Sequence, residues 1–308
     1  MRGMPPLPIV LDCDPGHDDA IAILLALGSP ALELRAVTTV AGNGTLERTT
    51  ENARRVLTLA GAHAVPVAAG AAGPLHGPLV TAPDIHGESG LDGPELPEAT
   101  VPLDPRPAAE VLAAEPVTLV ATGPLTNVAH ALELGAQPPE IVWMGGSTDR
   151  GNTRPYAEFN AAVDPEALAR VLESGVPFTM VGLNLTHQAR ATPDVVKRLR
   201  ALGEPLGATV AGWLDFFGAT YRAHYGAAAP PVHDPCALAR LIDPSVVRCE
   251  ECFLAIELNG RWTRAATVAD LDGRLGEPAN AQVATQLDAP RFWDLVVDAV
   301  AAVAARSG

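Results

Sequence analysis

The chain has 308 residues and a mass of 31.9 kDa, with 48% hydrophobic and 19% charged residues, enough apolar material for a sizeable core and too much for intrinsic disorder. A net charge of −15, from 36 acidic against 21 basic residues, speaks against polymeric nucleic acid, which binds clustered Lys and Arg. The only lysine, Lys197, sits on what reads as a solvated helix face, a poor place for a Walker lysine or a Schiff base. No apolar run approaches the ~18 residues that span a bilayer, and prolines interrupt the N-terminus at Pro5 and Pro6, so the chain is expected to be unexported, cytoplasmic and without a membrane partner.

Apolar runs alternate with helical patterns from the start. The pattern predicts strand 7–12, helix 18–28, strand 33–40, helix 45–60 and strand 65–69. After a Gly- and Pro-dense stretch over 70–105 it resumes with strand 117–121, helix 124–134, strand 140–144, helix 164–174, strand 178–182 and helix 193–202. An aromatic helix carrying Trp213, Phe216, Phe217 and Tyr221 follows, then a short helix opening at Asp234. Strands near 252–258 and 263–268, joined by Asn259-Gly260, read as a hairpin, and helix 290–305 closes the chain. This grammar predicts an α/β fold with a mostly parallel central sheet flanked by helices, of Rossmann-like topology, with a small antiparallel hairpin. No repeat, charge block or composition shift marks a linker, so residues 1–308 are expected to form one domain.

Four cysteines are too few for a disulfide scaffold at this length. The pair Cys249 and Cys252 has metal or redox spacing, but it lies on a predicted strand without a second pair or nearby histidines, and reads as incidental thiols.

The most informative segment is Asp12-Cys-Asp14-Pro-Gly-His-Asp18-Asp19, four carboxylates where a buried strand turns into a helix. Helix capping accounts for one or two of them. The rest would repel one another at the end of an apolar strand unless a cation neutralises them, and a hard ion such as Ca²⁺ or Mg²⁺ suits oxygen ligands. Further signals are His233-Asp234-Pro235 at a helix start, Thr122-Gly-Pro-Leu-Thr-Asn127 where a strand gives way to a helix, and Glu158-Phe159-Asn160. No Walker lysine motif, G-x-S-x-G elbow or dinucleotide fingerprint occurs.

Together these residues resemble the nucleoside hydrolases, especially the inosine-uridine-preferring group. Thr39-Val-Ala-Gly-Asn43, His86-Gly-Glu-Ser-Gly90, Met144-Gly-Gly146 and Leu185-Thr-His187 extend the resemblance in the family's order over nearly the whole chain. It implies hydrolysis of the N-ribosidic bond of a ribonucleoside, inosine or uridine first and cytidine or uridine as the alternative, with bound Ca²⁺ and a homodimer or homotetramer. By motif match, Asp14, Asp19 and Asp234 would ligate calcium through carboxylates and Thr122 through its carbonyl, with Asp14 also the general base for water. Asp18, Asn152, Glu158 and Asn160 would hold the ribose, with Asn43 and Asn184 around them.

Departure of the base calls for a proton donor; His233 is the candidate, and Tyr221 resembles the family residue that stacks on or protonates the base. Met144 and Phe159 would line the pocket, and His86 would reach the base from a lid formed by 70–105. His17 stands where the family more often has an apolar residue. A haloacid-dehalogenase-like phosphohydrolase and a non-catalytic calcium-dependent nucleoside binder are the competing readings. The first lacks the Thr expected soon after Asp14, and the second leaves Asp14 and His233 without a use.

Overall fold

Strand Leu7–Cys13 (β1) is inaccessible from Ile9 onward on both faces, as a strand covered by helices on either side must be. The computed structural model describes residues 5–226 and 229–307. From β1 the chain runs through helix His17–Gly28 (α1), strand Leu32–Thr39 (β2), helix Leu46–Leu59 (α2) and strand Val67–Ala69 (β3). Segment 70–105 is irregular apart from helix Pro83–His86 (α3) and strand Leu103–Asp104 (β4). Next come helix Ala108–Ala114 (α4), strand Thr118–Ala121 (β5), helix Thr126–Glu133 (α5) and strand Ile141–Met144 (β6). Helices Phe159–Val163 (α6) and Pro165–Glu173 (α7) lead to strand Phe178–Val181 (β7) and helix Leu183–Thr186 (α8). Helices Pro193–Arg200 (α9), Leu206–Tyr225 (α10) and Pro235–Ile242 (α11) precede strands Val247–Ile256 (β8), Thr267–Asp270 (β9) and Ala281–Leu287 (β10) and helix Ala289–Ser307 (α12).

The described residues build one ten-stranded sheet in the order β4-β3-β2-β1-β5-β6-β7-β10-β8-β9. Pairing is parallel from β4 through β10 and antiparallel for β10–β8 and β8–β9, which gives the single α/β domain that the alternation predicts. Two apolar layers cover the sheet. One contains residues of α1, α2 and α9 to α12, and the other residues of α4, α5 and α7. Strand order reverses between β1 and β5, and the crevice at such a switch point, beyond the carboxyl ends of the strands, is where open α/β sheets bind ligands.

The hairpin differs from its expectation. Residues 257–266 connect β8 to β9, with Ile256 opposite Thr267, so no two-residue turn forms at Asn259-Gly260. The Glu257 carboxylate accepts from the Asn259 and Gly260 amides, and the Arg264 amide bonds the Gly260 carbonyl, which coils the segment away from the ladder. Strand β10, not foreseen from the sequence, ties this pair to the parallel sheet by bonding both β7 and β8. Cys249 and Cys252 lie three apart on β8 and pack into opposite apolar layers, so they present no joint site. Among the described residues no helix is long and apolar enough to cross a membrane.

Candidate active site

The loop after β1 carries the acidic turn, and those after β2, β5 and β6 bring Asn43, Thr122 and Glu158-Phe159-Asn160 to the same end of the sheet. Here Asp12, Asp14 and Asp19 have no exposure, and Asp18 and Asp234 are 4% exposed. Oxygens of Asp18, Asp19 and Asp234 lie within 4.8 Å of one another. Capping explains little of this. Gly16 is the N-cap of α1, and one oxygen of Asp19 accepts from its amide at 3.0 Å. Asp234 stands at the N-cap of α11 ahead of Pro235 yet makes no side-chain cap bond, and its carboxylate lies within 4.8 Å of those of Asp18 and Asp19 instead.

Asp14, fully buried, shares Asn43 with Asp19 of this group. Its Oδ2 accepts from the Asn43 amide at 2.6 Å, while its buried Oδ1 has no hydrogen-bond partner. A Cβ at Gly42 would fall 2.1 Å from Asp14 Oδ2, and one at Gly123 2.7 Å from Oδ1, so both flanking turns need glycine to close around the carboxylate. Burial pushes Asp14 and Asp234 well above the ordinary carboxylate range, with Asp19 the strongest neighbouring charge on Asp14 and Asp18 on Asp234. Asp19 rises to about 7, first through burial and then through Asp18. Crowded buried acids with an unpaired oxygen match a cation's needs, because a cation supplies the charge and ligation that the protein withholds.

Thr122 donates its hydroxyl to Asp19 at 2.7 Å, and its carbonyl accepts from Asn160 Nδ2 at 2.8 Å, leaving that oxygen a second lone pair. Asn160 Nδ2 also reaches the Met144 carbonyl at 3.1 Å. Glu158 is the N-cap of α6. It accepts from the amides of Asn160, Ala161 and Gly146 within 3.1 Å, and burial nonetheless raises its pKa to about 7.

A cavity of about 380 Å³ is lined by Asp18, Asn43, Thr122, Met144, Asn152, Glu158, Phe159, Asn160 and Asp234, and by His86, Phe217, Tyr221 and His233, whose main-chain amide donates to Asp18 at 3.2 Å. His233 Nδ1 is 2.7 Å from the Thr186 hydroxyl, and Nε2 is 3.2 Å from the Tyr221 hydroxyl. Burial lowers both His86 and His233 to about 4 and also lowers His17, so these rings are neutral near pH 7. His17, His86 and Phe217 stack on one another with ring planes within 20°.

Of the residues singled out in the sequence, Asp14, Asp19 and Asn184 do not line the cavity. The first two are fully buried. Asn184 donates to the Ala284 carbonyl on β10 at 2.8 Å, and its buried Oδ1 has no partner. Two contributors carried no assigned role: Thr186, which was visible only inside Leu185-Thr-His187, and Phe217, one α10 turn before Tyr221.

The sequence model of the inosine-uridine preferring nucleoside hydrolases matches residues 9–294. The chain belongs to this family. A pyrimidine-specific ribonucleoside hydrolase, RihA, of Shewanella sp. strain MR-7 is 46% identical over 305 residues, covering 96% of each chain. The protein of that name from Escherichia coli strain K12 is also 46% identical, over 95% of this chain and 97% of its own. Among solved structures, a purine-preferring ribonucleoside hydrolase from Gardnerella vaginalis superposes with a TM-score of 0.90 at 30% identity, covering 96% of this chain and 99% of that one. The activity is therefore that of a ribonucleoside hydrolase, an N-glycosyl hydrolase.

Proposed function

We propose that the chain hydrolyses pyrimidine ribonucleosides, uridine and cytidine ahead of inosine, and depends on Ca²⁺. The observation that carries the hydrolytic reading is the buried cluster of Asp18, Asp19 and Asp234, two members of which line a cavity together with His233 and Tyr221. The pyrimidine preference, which moves cytidine above the inosine that the sequence motifs favour, is supported by the relatives named pyrimidine-specific at 46% identity.

Asp14, Asp19 and Asp234 would hold the ion through carboxylates and Thr122 through its carbonyl, and Asp18 is close enough to Asp19 and Asp234 to complete or compete for the set. When bound, Ca²⁺ supplies a fixed positive charge that orients the ribose diol and lowers the pKa of water. Asp14, with its unpaired Oδ1, takes the proton of the attacking water. Loss of the base generates an oxocarbenium-like ribosyl cation, which the buried carboxylates stabilise. Glu158 and Asn160, held by α6 and the Thr122 carbonyl, offer hydrogen bonds to ribose hydroxyls, joined by Asp18, Asn152 and Asn43. Asn184, outside the cavity, ties α8 to the Ala284 carbonyl of β10.

His233 gives the departing base its proton from Nε2, the nitrogen that Tyr221 contacts, in its doubly protonated form, a minority near pH 7, and keeps the proton on Nδ1 that Thr186 accepts, so that it returns to the neutral imidazole. Met144 and Phe159 shape the cavity, and segment 70–105 acts as its lid through His86. Assembly as a homodimer or homotetramer belongs to the same proposal and is read by light scattering. The base preference is tested by kcat/KM for uridine, cytidine, inosine and adenosine with calcium in excess. Uridine and cytidine should lead, and a lead for inosine would return the preference to a purine-tolerant one.

A further inference from the structure

Strand β9 lies at the edge of the sheet, yet its first residue, Thr267, reaches the loop that leads to Glu158. The Thr267 hydroxyl donates to the Ser147 carbonyl at 2.6 Å and accepts from the Ser147 amide at 2.8 Å. One oxygen thus holds both polar groups of one main-chain residue, as a hydroxyl with one hydrogen and two lone pairs can. Both residues are buried. Next to Thr267, Ala266 forms an antiparallel bridge to Ala157. These two neighbours therefore grip both ends of loop 147–157, whose residues Asn152 and Thr153 line the cavity.

The grip continues into the site. One residue before Ser147, the Gly146 amide donates to Glu158 Oε2 at 2.8 Å. The amides of Asn160 and Ala161 also bond this carboxylate, but they belong to α6 itself, so Gly146 is what ties it to the end of β6. Gly146 has a φ of +71°, and a Cβ there would fall 2.6 Å from Met180 Sδ and 2.9 Å from Thr267 Cγ2, so conformation and space both require glycine. Its carbonyl accepts from the Leu183 amide at 2.9 Å. Leu183 on one side and Thr267, through Ser147, on the other fix the direction of the Gly146 amide.

We propose that Thr267 is a positioning residue: its hydroxyl clamps Ser147, and through the adjoining Gly146 amide it sets the Glu158 carboxylate that faces the cavity. Thr267 does not line the cavity, so its effect on catalysis passes through this loop. That Glu158 meets a ribose hydroxyl rests on the nucleoside hydrolase reading, whereas the clamp is a property of the protein without substrate.

The sequence makes the clamp directly observable, because Gly145-Gly146 is its only Gly-Gly pair. In protein labelled with glycine carrying ¹³C at the carbonyl and ¹⁵N at the amide, Gly146 gives the single cross-peak of an amide-to-carbonyl correlation spectrum. That peak should shift in Glu158→Ala, which removes its acceptor, and in Thr267→Val, which removes the hydroxyl. It should stay in place in Thr267→Ser, which keeps the hydroxyl. Exchange of the Gly146 amide with solvent should be about tenfold or more faster in Thr267→Val. With calcium in excess, kcat/KM for uridine should fall roughly three- to thirtyfold in Thr267→Val, the span of coupled neighbours, and less than about twofold in Thr267→Ser. In a Glu158→Ala background the loss caused by Thr267→Val should shrink below about twofold, because the path ends at that carboxylate. A hydroxyl that only stabilised the fold would lower the melting temperature alone. An unmoved Gly146 peak in Thr267→Val, an unchanged kcat/KM, or the same loss in both Glu158 backgrounds would overturn the proposal. If Thr267→Val does not fold, Thr267→Ala, which places no methyl against Ser147, is read in the same way. If no ribonucleoside is cleaved, the Gly146 peak in these variants still decides the clamp.

Discussion

The acids of the site, its floor, and the histidines of the cavity, its wall, are both buried, yet burial acts on them in opposite senses. On the floor, it pushes the carboxyls of Asp14, Asp19 and Asp234 upward toward their neutral forms. On the wall, it pushes His86 and His233 down to about 4, again toward neutrality. The wall reaches its neutral state with hydrogen bonds in place, between His233 and both Thr186 and Tyr221 and between His17 and His86. The floor does not, because a buried Asp14 oxygen has no partner. One half of the site is therefore complete as folded, and the other is built for a positive charge.

The largest expected effect breaks the floor. Asp14→Asn should lower ribose release by at least about 10²- to 10⁴-fold, the range for a lost general base. The same change should raise the melting temperature measured in chelator, since it removes an uncompensated buried acid. Full activity in this variant would end the assignment of Asp14.

Breaking the wall gives the next effect. His233→Ala should slow uridine and inosine by roughly 10²- to 10⁴-fold, while p-nitrophenyl riboside, whose leaving group needs no proton, loses far less. Equal losses on both kinds of substrate would remove the acid role from His233.

A smaller effect separates floor from wall by pH. In the metal-free protein Asp12, Asp19 and Glu158 bind protons up to about 7, whereas unfolded carboxyls ionise near 3.8 to 4.5. The folded state thus holds more protons, and stability falls as pH rises through that window. The histidines run the other way: folded values of about 4 against 6.5 in the unfolded chain cost stability only as pH falls below 6.5. Urea midpoints in chelator should therefore drop between pH 6.5 and 8, and calcium should reduce the drop. A rise over this interval would contradict the carboxyl shifts. The smallest effect is that of Asn152→Ala at the exposed rim, a KM increase below about tenfold, as for one hydrogen bond.

Much of the floor was legible in the sequence because its parts are local: Asp12 to Asp19 lie on one strand-to-helix turn, and clustered acids after an apolar strand have few structural explanations. The βαβ order was legible for the same reason, since central parallel strands such as β1, β5, β6 and β7 are mostly apolar runs. The wall was less so. Thr186 and His233 are 47 residues apart, and their contact at 2.7 Å depends on how α8 and the turn before α11 meet. Strand β10, Ala-Gln-Val-Ala-Thr-Gln-Leu, has its apolar run broken by Gln282, Thr285 and Gln286 and pairs with strands from two distant segments, so no local signal marks it as the bridge in the sheet. The loop 257–266 follows from the side chain of Glu257, which competes with the turn that Asn259-Gly260 would otherwise form.

The contrast between a finished wall and an unfinished floor is tested most directly by ribose release from uridine after prolonged dialysis against chelator, with calcium then added back. Release should fall to background on dialysis and return with calcium, alongside a rise in melting temperature. Undiminished release from protein shown by elemental analysis to be free of metal would contradict a floor built for a cation.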